Sequence, residues 1–359
     1  MSLHFVPLQI ADIRKETSDC VSIAFDIPAD KKALFRFIQG QNITVRAKID
    51  NRDLRRSYSI CSAVQEDQLR IAVKRVPGGL FSEMANRSLK KGDWLEVLPP
   101  TGQFHVTLNP HHKKHYLAIA AGSGITPVLS IIKTTLHTEP ESQFTLIYGN
   151  RSRASIIFFE ELEALKNKYM DRFQLIHILS RERMETSIHF GRIDERKCAE
   201  LQGKLVDFDR VDEIFICGPE AMIFSARDWL LQNGIEKRKI HVELFNTPGQ
   251  NKQQTAKPES TGERSAKAMV TIKQDGRSFD FELSYNDDSI LDGALKQGAD
   301  LPYACKGGVC ATCRARLLEG QVQMDANWAL EPEELEHGFI LTCQSHPVSP
   351  RIVVDFDAR

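Results

Sequence analysis

The sequence predicts a multidomain chain: an antiparallel β-barrel, an α/β unit with a parallel sheet, and a small α+β unit behind a flexible linker. Three observations carry this. The first hundred or so residues hold short β-like runs broken by turns. From His115 onward, apolar strands alternate with helical stretches. A polar tract from Asn246 to Ala268, with almost no large apolar residue, separates this body from a C-terminal tail. The expected boundaries are 1–110, 111–247, a linker at 248–267, and 268–359.

In the first unit the β-like runs are CVSIAFDI, NITVRAKI, QLRIAVKRV and WLEVLPP, interrupted by IDNRD and VPGG. In the second, the strands HYLAIAA, FTLIYG, QLIHILS, EIFICG and HVELF alternate with the helical stretches ITPVLSIIKTTLH, SIIFFEELEALKNKY and EAMIFSARDWLLQ. Such alternation implies a parallel sheet covered on both faces, with ligands at the carboxyl ends of its strands. The third opens on VTIKQDGRSFDFEL, a hairpin whose Asp275-Gly276 suits a tight turn. A short helical stretch, DSILDGALKQG, a Gly- and Cys-rich loop and further strands follow.

The chain has 359 residues and a formal net charge of −1, which gives no sign of nucleic-acid binding. No apolar run approaches the roughly 20 residues of a membrane span. The N-terminus lacks a basic start followed by an apolar stretch, so a cytoplasmic location is expected. Disulfides are unlikely in that compartment, and eight cysteines then call for metal or redox chemistry. Charge is uneven, with −7 on residues 268–359 and +6 on the rest. That implies a solvated surface, an intramolecular attraction or an acidic docking face.

Four cysteines carry the strongest motif: Cys305, Cys310 and Cys313 in CKGGVCATC, then Cys343 in FILTCQS, read as a strand. C-x4-C-x2-C…C is the plant-type [2Fe–2S] spacing. Gly307 and Gly308 let the loop coil and leave amide donors for sulfur. A structural zinc site is the rival, but zinc usually takes paired C-x2-C units.

Gly122, Ser123, Gly124, Ile125, Thr126 and Pro127 lie between a strand and a helix, where backbone amides and the helix N-terminus attract a phosphate. A G-x-G alone is weak; position and Cys217-Gly218-Pro219 at a later strand end add weight. Arg151 and Ser180-Arg181 end two other strands. Hydroxyls and guanidiniums pair with phosphate, so NADPH is expected over NADH; exposed arginines at loop tips are the plainer alternative. A flavin needs an aromatic neighbour, a cation and hydroxyl or amide donors. Arg56, Tyr58 and Ser59, with Val73-Lys74 and Gly79-Leu80-Phe81-Ser82, supply those types, although RSYS by itself is an ordinary edge-strand sequence.

Together, RSYS, GGLFS, GSGITP, LSRE and CGP, in that order, resemble the FAD- and NAD(P)-binding domains of the ferredoxin–NADP+ reductase superfamily. A plant-type ferredoxin domain follows, and the resemblance covers essentially the whole chain. It implies that Arg56, Tyr58 and Ser59 hold FAD, with Ser59 near flavin N5. Gly79 to Ser82 would bind its pyrophosphate, and Gly122 to Pro127 that of the nicotinamide nucleotide. Ser180 and Arg181 would take a 2′-phosphate, Cys217 would border the nicotinamide, and Glu243 and Phe245 would sit beside the flavin. Gln39-Gly40-Gln41 departs from the usual Pro-Gly-Gln, a change confined to a turn. The implied activity is transfer of electrons from NADPH through FAD to the [2Fe–2S] cluster and on to an oxygenase with a di-iron centre. The alternatives are an electron-transfer subunit that oxidises no nucleotide itself, against which GSGITP and CGP argue, and a reductase for a Rieske-type or hybrid-cluster partner.

Overall fold

The computed structural model describes residues 3–49, 52–183, 186–245, 267–285 and 288–358. Its first sheet is built from β1 (Val6–Thr17), β2 (Cys20–Asp26), β3 (Asn42–Ile49), β4 (Arg52–Ser59), β5 (Leu69–Lys74) and β6 (Trp94–Val97). The order is β4-β3-β6-β1-β2-β5, all antiparallel. Ile60 bridges to Ile71, which brings the two edges together and curls the sheet into a barrel. Leu8, Ile23, Ile43, Val45, Ile71 and Val97 fill its interior. The helix α1 (Leu80–Arg87) closes one end by inserting Phe81 and Ala85.

The second sheet contains β7 (His115–Ala121), β8 (Gln143–Asn150), β9 (Phe173–Leu179), β10 (Glu213–Gly218) and β11 (Ile240–Leu244). It is parallel throughout, in the order β11-β10-β7-β8-β9. The helices α2 (Ile125–Thr138) and α3 (Phe159–Lys168) cover one face; α4 (Glu195–Leu201) and α5 (Glu220–Gln232) cover the other. The helix expected from SIIFFEELEALKNKY starts only at Phe159, because Phe158 has a left-handed φ of 62°. α2 is buried nearly all round. Its outer face packs on the barrel, so Cys20, Cys61, Ala72 and Phe104 share one core with Val128, Ile131 and Ile132. The first two units therefore form one apolar body.

The third unit holds β12 (Lys267–Gln274), β13 (Arg277–Ser284), β14 (Arg314–Glu319), β15 (Val322–Met324), β16 (Phe339–Leu341), β17 (Ser345–Pro347) and β18 (Arg351–Asp355), with short helices α6 (Ile290–Lys296) and α7 (Pro332–Glu336). The main sheet runs β13-β12-β18-β14-β16, and β15 pairs with β17. Asp275 and Gly276 have φ of 53° and 68°, the left-handed pair that a tight hairpin requires. Cys343 lies two residues past β16, in a turn rather than on the expected strand. The unit has its own core around Val270, Ile290, Leu291 and Ile352. Apart from Lys267, which opens β12, the expected linker 248–267 lies outside the described residues.

Candidate functional site

A cavity of about 120 Å³ lies where the three sheets meet. Arg56, Ser57 and Ser59 of β4 form one wall, with Asn42 beside them. Glu243, Leu244 and Phe245, at the end of β11, form the second, and Ala304, Cys305, Val309 and Cys310 form the third. The Ser59 hydroxyl donates to Glu243 Oε2 at 3.1 Å across the first two walls. The burial of Glu243 pushes its carboxyl up to about 8, against a smaller lowering by Ser59. Glu243 is the register partner of Cys217 on β10. Cys217 itself is 0 % exposed and stands behind the cavity wall, and burial raises its thiol well above the ordinary range.

The other flavin candidates divide by what they can offer. Tyr58 packs its ring against Phe81 at 5.6 Å between centroids, and burial raises its hydroxyl. The side chains of Val73 and Phe81 belong to the barrel core, so these positions can present backbone only. Ser82 Oγ accepts from Val76 N at 3.0 Å and donates to Gly79 O at 3.0 Å. It thereby shapes the turn into α1, whose first amides at Leu80 and beyond are available for a phosphate. Lys74 lies 3.9 Å from Asp19 and reaches toward Gly122.

In the parallel sheet the strand order reverses between β7 and β10, the crevice where such sheets bind ligands. Gly122 to Gly124 follow β7, and Cys217-Gly218 end β10. A Cβ on Gly124 would stand 2.1 Å from the Cys217 carbonyl oxygen, so only glycine lets the loop lie on that strand end. Tyr148 Oη donates to Gly122 O at 2.9 Å, and Thr126 Oγ1 donates to Ser123 O at 3.0 Å. Pro127, in the first turn of α2, needs no backbone partner there. Pro219 caps α5 at the neighbouring strand end. Ser180 N bonds to Asn150 O at 2.9 Å and Arg181 N to Arg151 O at 2.8 Å, which sets the two polar strand ends side by side. Arg151 and Arg181 are exposed, and among the described residues neither has an ion-pair partner.

The cluster loop satisfies a different chemistry. Among the described residues no three His, Cys, Asp or Glu side chains converge as on a single ion. The thiols instead influence one another mainly in two pairs, Cys305 with Cys310 and Cys313 with Cys343. Two irons, each needing two thiolates, fit such a pairing. Gly307 N donates to Cys305 Sγ at 3.3 Å, and Gln344 Nε2 approaches Cys343 Sγ at 3.8 Å. The Cys310 thiol, aided by the amides of Gly307, Val309 and Cys310, holds the Cys305 thiol below its ordinary range against the opposing effect of burial. These are the donors that stabilise thiolate ligands.

Sequence reasoning missed the contacts that assemble the site. Thr44 and Thr312 share a buried hydrogen bond of 3.1 Å between β3 and the cluster loop. Asn42 Oδ1 accepts from Ser57 Oγ at 2.6 Å and sets the angle of that wall. Trp328 leans on Phe224 of α5 at 5.5 Å. Threonine, asparagine and tryptophan at those places carry no motif; only the paired strands and domains reveal them.

Residues 7–106 match the oxidoreductase FAD-binding domain, 118–228 the oxidoreductase NAD-binding domain, and 272–348 the 2Fe-2S iron-sulfur cluster binding domain. The chain is 47 % identical over 355 residues to a subunit of the 1,2-phenylacetyl-CoA epoxidase of Escherichia coli, covering 99 % of this chain and 98 % of that one. It is 32 % identical to the ferredoxin reductase component of the 3-ketosteroid-9-alpha-monooxygenase of Rhodococcus rhodochrous, covering 98 % and 97 %. Among solved structures, phthalate dioxygenase reductase aligns over 98 % of both chains, with a TM-score of 0.58 and 25 % identity.

Proposed function

The chain belongs to the FAD-, NAD- and [2Fe–2S]-domain reductase components of multicomponent oxygenases, and from that premise we propose that it takes electrons from NADPH for a di-iron phenylacetyl-CoA 1,2-epoxidase. The observation that carries the reading is the cavity itself, in which a flavin-type wall, a nucleotide-strand end and the cluster loop face one another. A flavin bound there would accept hydride as an electron pair and release single electrons to the cluster, which is why one must stand between a nucleotide and a one-electron carrier. The protein's part is to bind, orient and exclude water.

Arg56 would neutralise the flavin pyrophosphate, and Tyr58 would cover its ring. Gly79 and the first amides of α1 would take the phosphates. Ser59, oriented by Glu243, would hold a proton-bearing hydroxyl at the reacting edge. Gly122 to Pro127 would seat the nucleotide pyrophosphate, with Cys217 and Phe245 behind and beside the nicotinamide. Arg151, Ser180 and Arg181 would select the 2′-phosphate. Cys305, Cys310, Cys313 and Cys343 would ligate the cluster. No helix of the described residues is long and apolar enough to cross a membrane. A cytoplasmic setting belongs to the proposal, since thiols such as Cys20 and Cys61 stay reduced there.

Anaerobic mixing of NADPH with the fully loaded chain tests the reaction. Bleaching of the flavin and a paramagnetic iron signal are expected; neither appearing would end the reading. The client is tested by adding purified oxygenase subunits and scoring epoxidation of phenylacetyl-CoA. No product there, with turnover on a ketosteroid oxygenase, would reassign the client and leave the reductase intact.

A further inference from the structure

We propose that Arg55 is a positioning residue that holds the cluster unit against the flavin-type wall and so sets the gap that electrons cross. The inference rests on the reductase reading above. Arg55 lies on β4 directly before Arg56, and its register partner on β3 is Arg46. Two like charges opposed across an antiparallel pair are unfavourable unless each has a separate partner. Arg46 has one within its own barrel, a two-bond pair with Glu96 at 2.9 and 2.6 Å. Arg55 draws most of its partners from the third unit.

Arg55 Nη1 donates to Leu301 O at 3.0 Å, and Nη2 donates to Asp300 Oδ1 at 3.0 Å. Its guanidinium lies over the Tyr303 ring, 4.3 Å from the centroid. Within the barrel, among the described residues, it keeps a longer contact to Asp53, 3.3 Å, and lies over the Phe5 ring at 5.1 Å from the centroid. The side chain is 6 % exposed, and among the described residues its Nε has no partner. A buried guanidinium left short of one bond is a costly arrangement. The segment it grips, Asp300 to Tyr303, runs directly into Cys305, while Arg56 and Cys305 face each other across the cavity. One residue thus ties the strand bearing the flavin candidates to the segment entering the cluster loop.

The three contacts differ in weight. Asp300 is 74 % exposed, so water screens its charge. The bond to the Leu301 carbonyl and the stack on Tyr303 are sheltered, and they need a planar fork that lysine lacks. Asp300→Asn is therefore expected to change little, Arg55→Lys to restore part of the function, and Arg55→Gln to lose most of it.

The test uses the full-length, fully loaded chain and two readouts. In stopped flow with NADPH, Arg55→Gln should bleach flavin at the wild-type rate but reduce the cluster at least about tenfold more slowly. Hydrogen exchange, with no substrate present, should speed up at residues 300–304 in Arg55→Gln and less so in Arg55→Lys. Wild-type cluster reduction with unchanged exchange in Arg55→Gln would overturn the proposal. So would a parallel loss of flavin bleaching, which would place Arg55 in the flavin site instead. Failure of wild-type flavin to bleach would sink the reductase reading itself, while the exchange data would still judge the pin.

Discussion

Glu243 shows how one residue's chemistry depends on neighbours far away in sequence. Burial behind Ser59 raises its carboxyl to about 8 from an ordinary 4.5. Between those values the folded chain keeps a proton that the unfolded chain has lost. Stability from this group is full below pH 4.5 and is lost as pH rises through about 8. Flavin-free Glu243→Gln should therefore gain on the wild type across that window, by at most about 1.4 kcal/mol per pH unit. Thermal melts of both proteins at pH 5 and pH 8 measure it, and an equal fall in both would refute the protonated carboxyl. Arg151 and Arg181 give the second test at this scale. Replacing both with Gln should lower kcat/KM for NADPH more than tenfold and leave that for NADH within about threefold, since a guanidinium–phosphate bond contributes about 1.5–3 kcal/mol. The residue types at both places were legible in sequence. Their orientation was not: the side chains of Val73 and Phe81 turn into the barrel, and Cys217 is fully buried behind the cavity wall.

At the scale of elements, alternation and turn chemistry gave most strands their limits, as with β2, β3 and β7. Errors fell where geometry at one residue outweighed pattern. α3 starts late because Phe158 is left-handed, and β16 ends at Leu341, which leaves Cys343 in the turn that follows. The turn from β7 into α2 has no room for a methyl group. Gly124→Ala would drive a Cβ into the Cys217 carbonyl, and the shift should cost about 1–3 kcal/mol and raise KM for the nucleotide at least tenfold. Denaturant melts and steady-state kinetics check both; an unshifted KM would show that this loop does not seat the nucleotide. Cys343→Ser removes the partner of Cys313. Iron and acid-labile sulfide should fall to a small fraction of wild type while the flavin bands persist; full iron retention would point to a different ligand set.

The whole molecule divides unequally. The first two units share a core through Cys20, Cys61, Ala72 and Phe104, whereas the third has its own and meets them mainly through polar and aromatic contacts at Thr312, Arg55 and Trp328. A chain ending at residue 245 should therefore fold, bind flavin and reduce ferricyanide with NADPH near the wild-type rate, without iron–sulfur absorption. An insoluble product would mean that the third unit is needed for that core. Sequence alone determined the kinds of chemistry present, because cysteine spacing, glycine turns and strand periodicity are local and survive any packing. It also determined that three units follow one another in this order. Only the tertiary structure decided which of those groups face a common cavity, how Glu243 comes to hold a proton, and which arginine grips the cluster segment. Those properties arise from distances between residues up to 268 positions apart, which depend on how whole sheets pack rather than on any neighbouring stretch of chain.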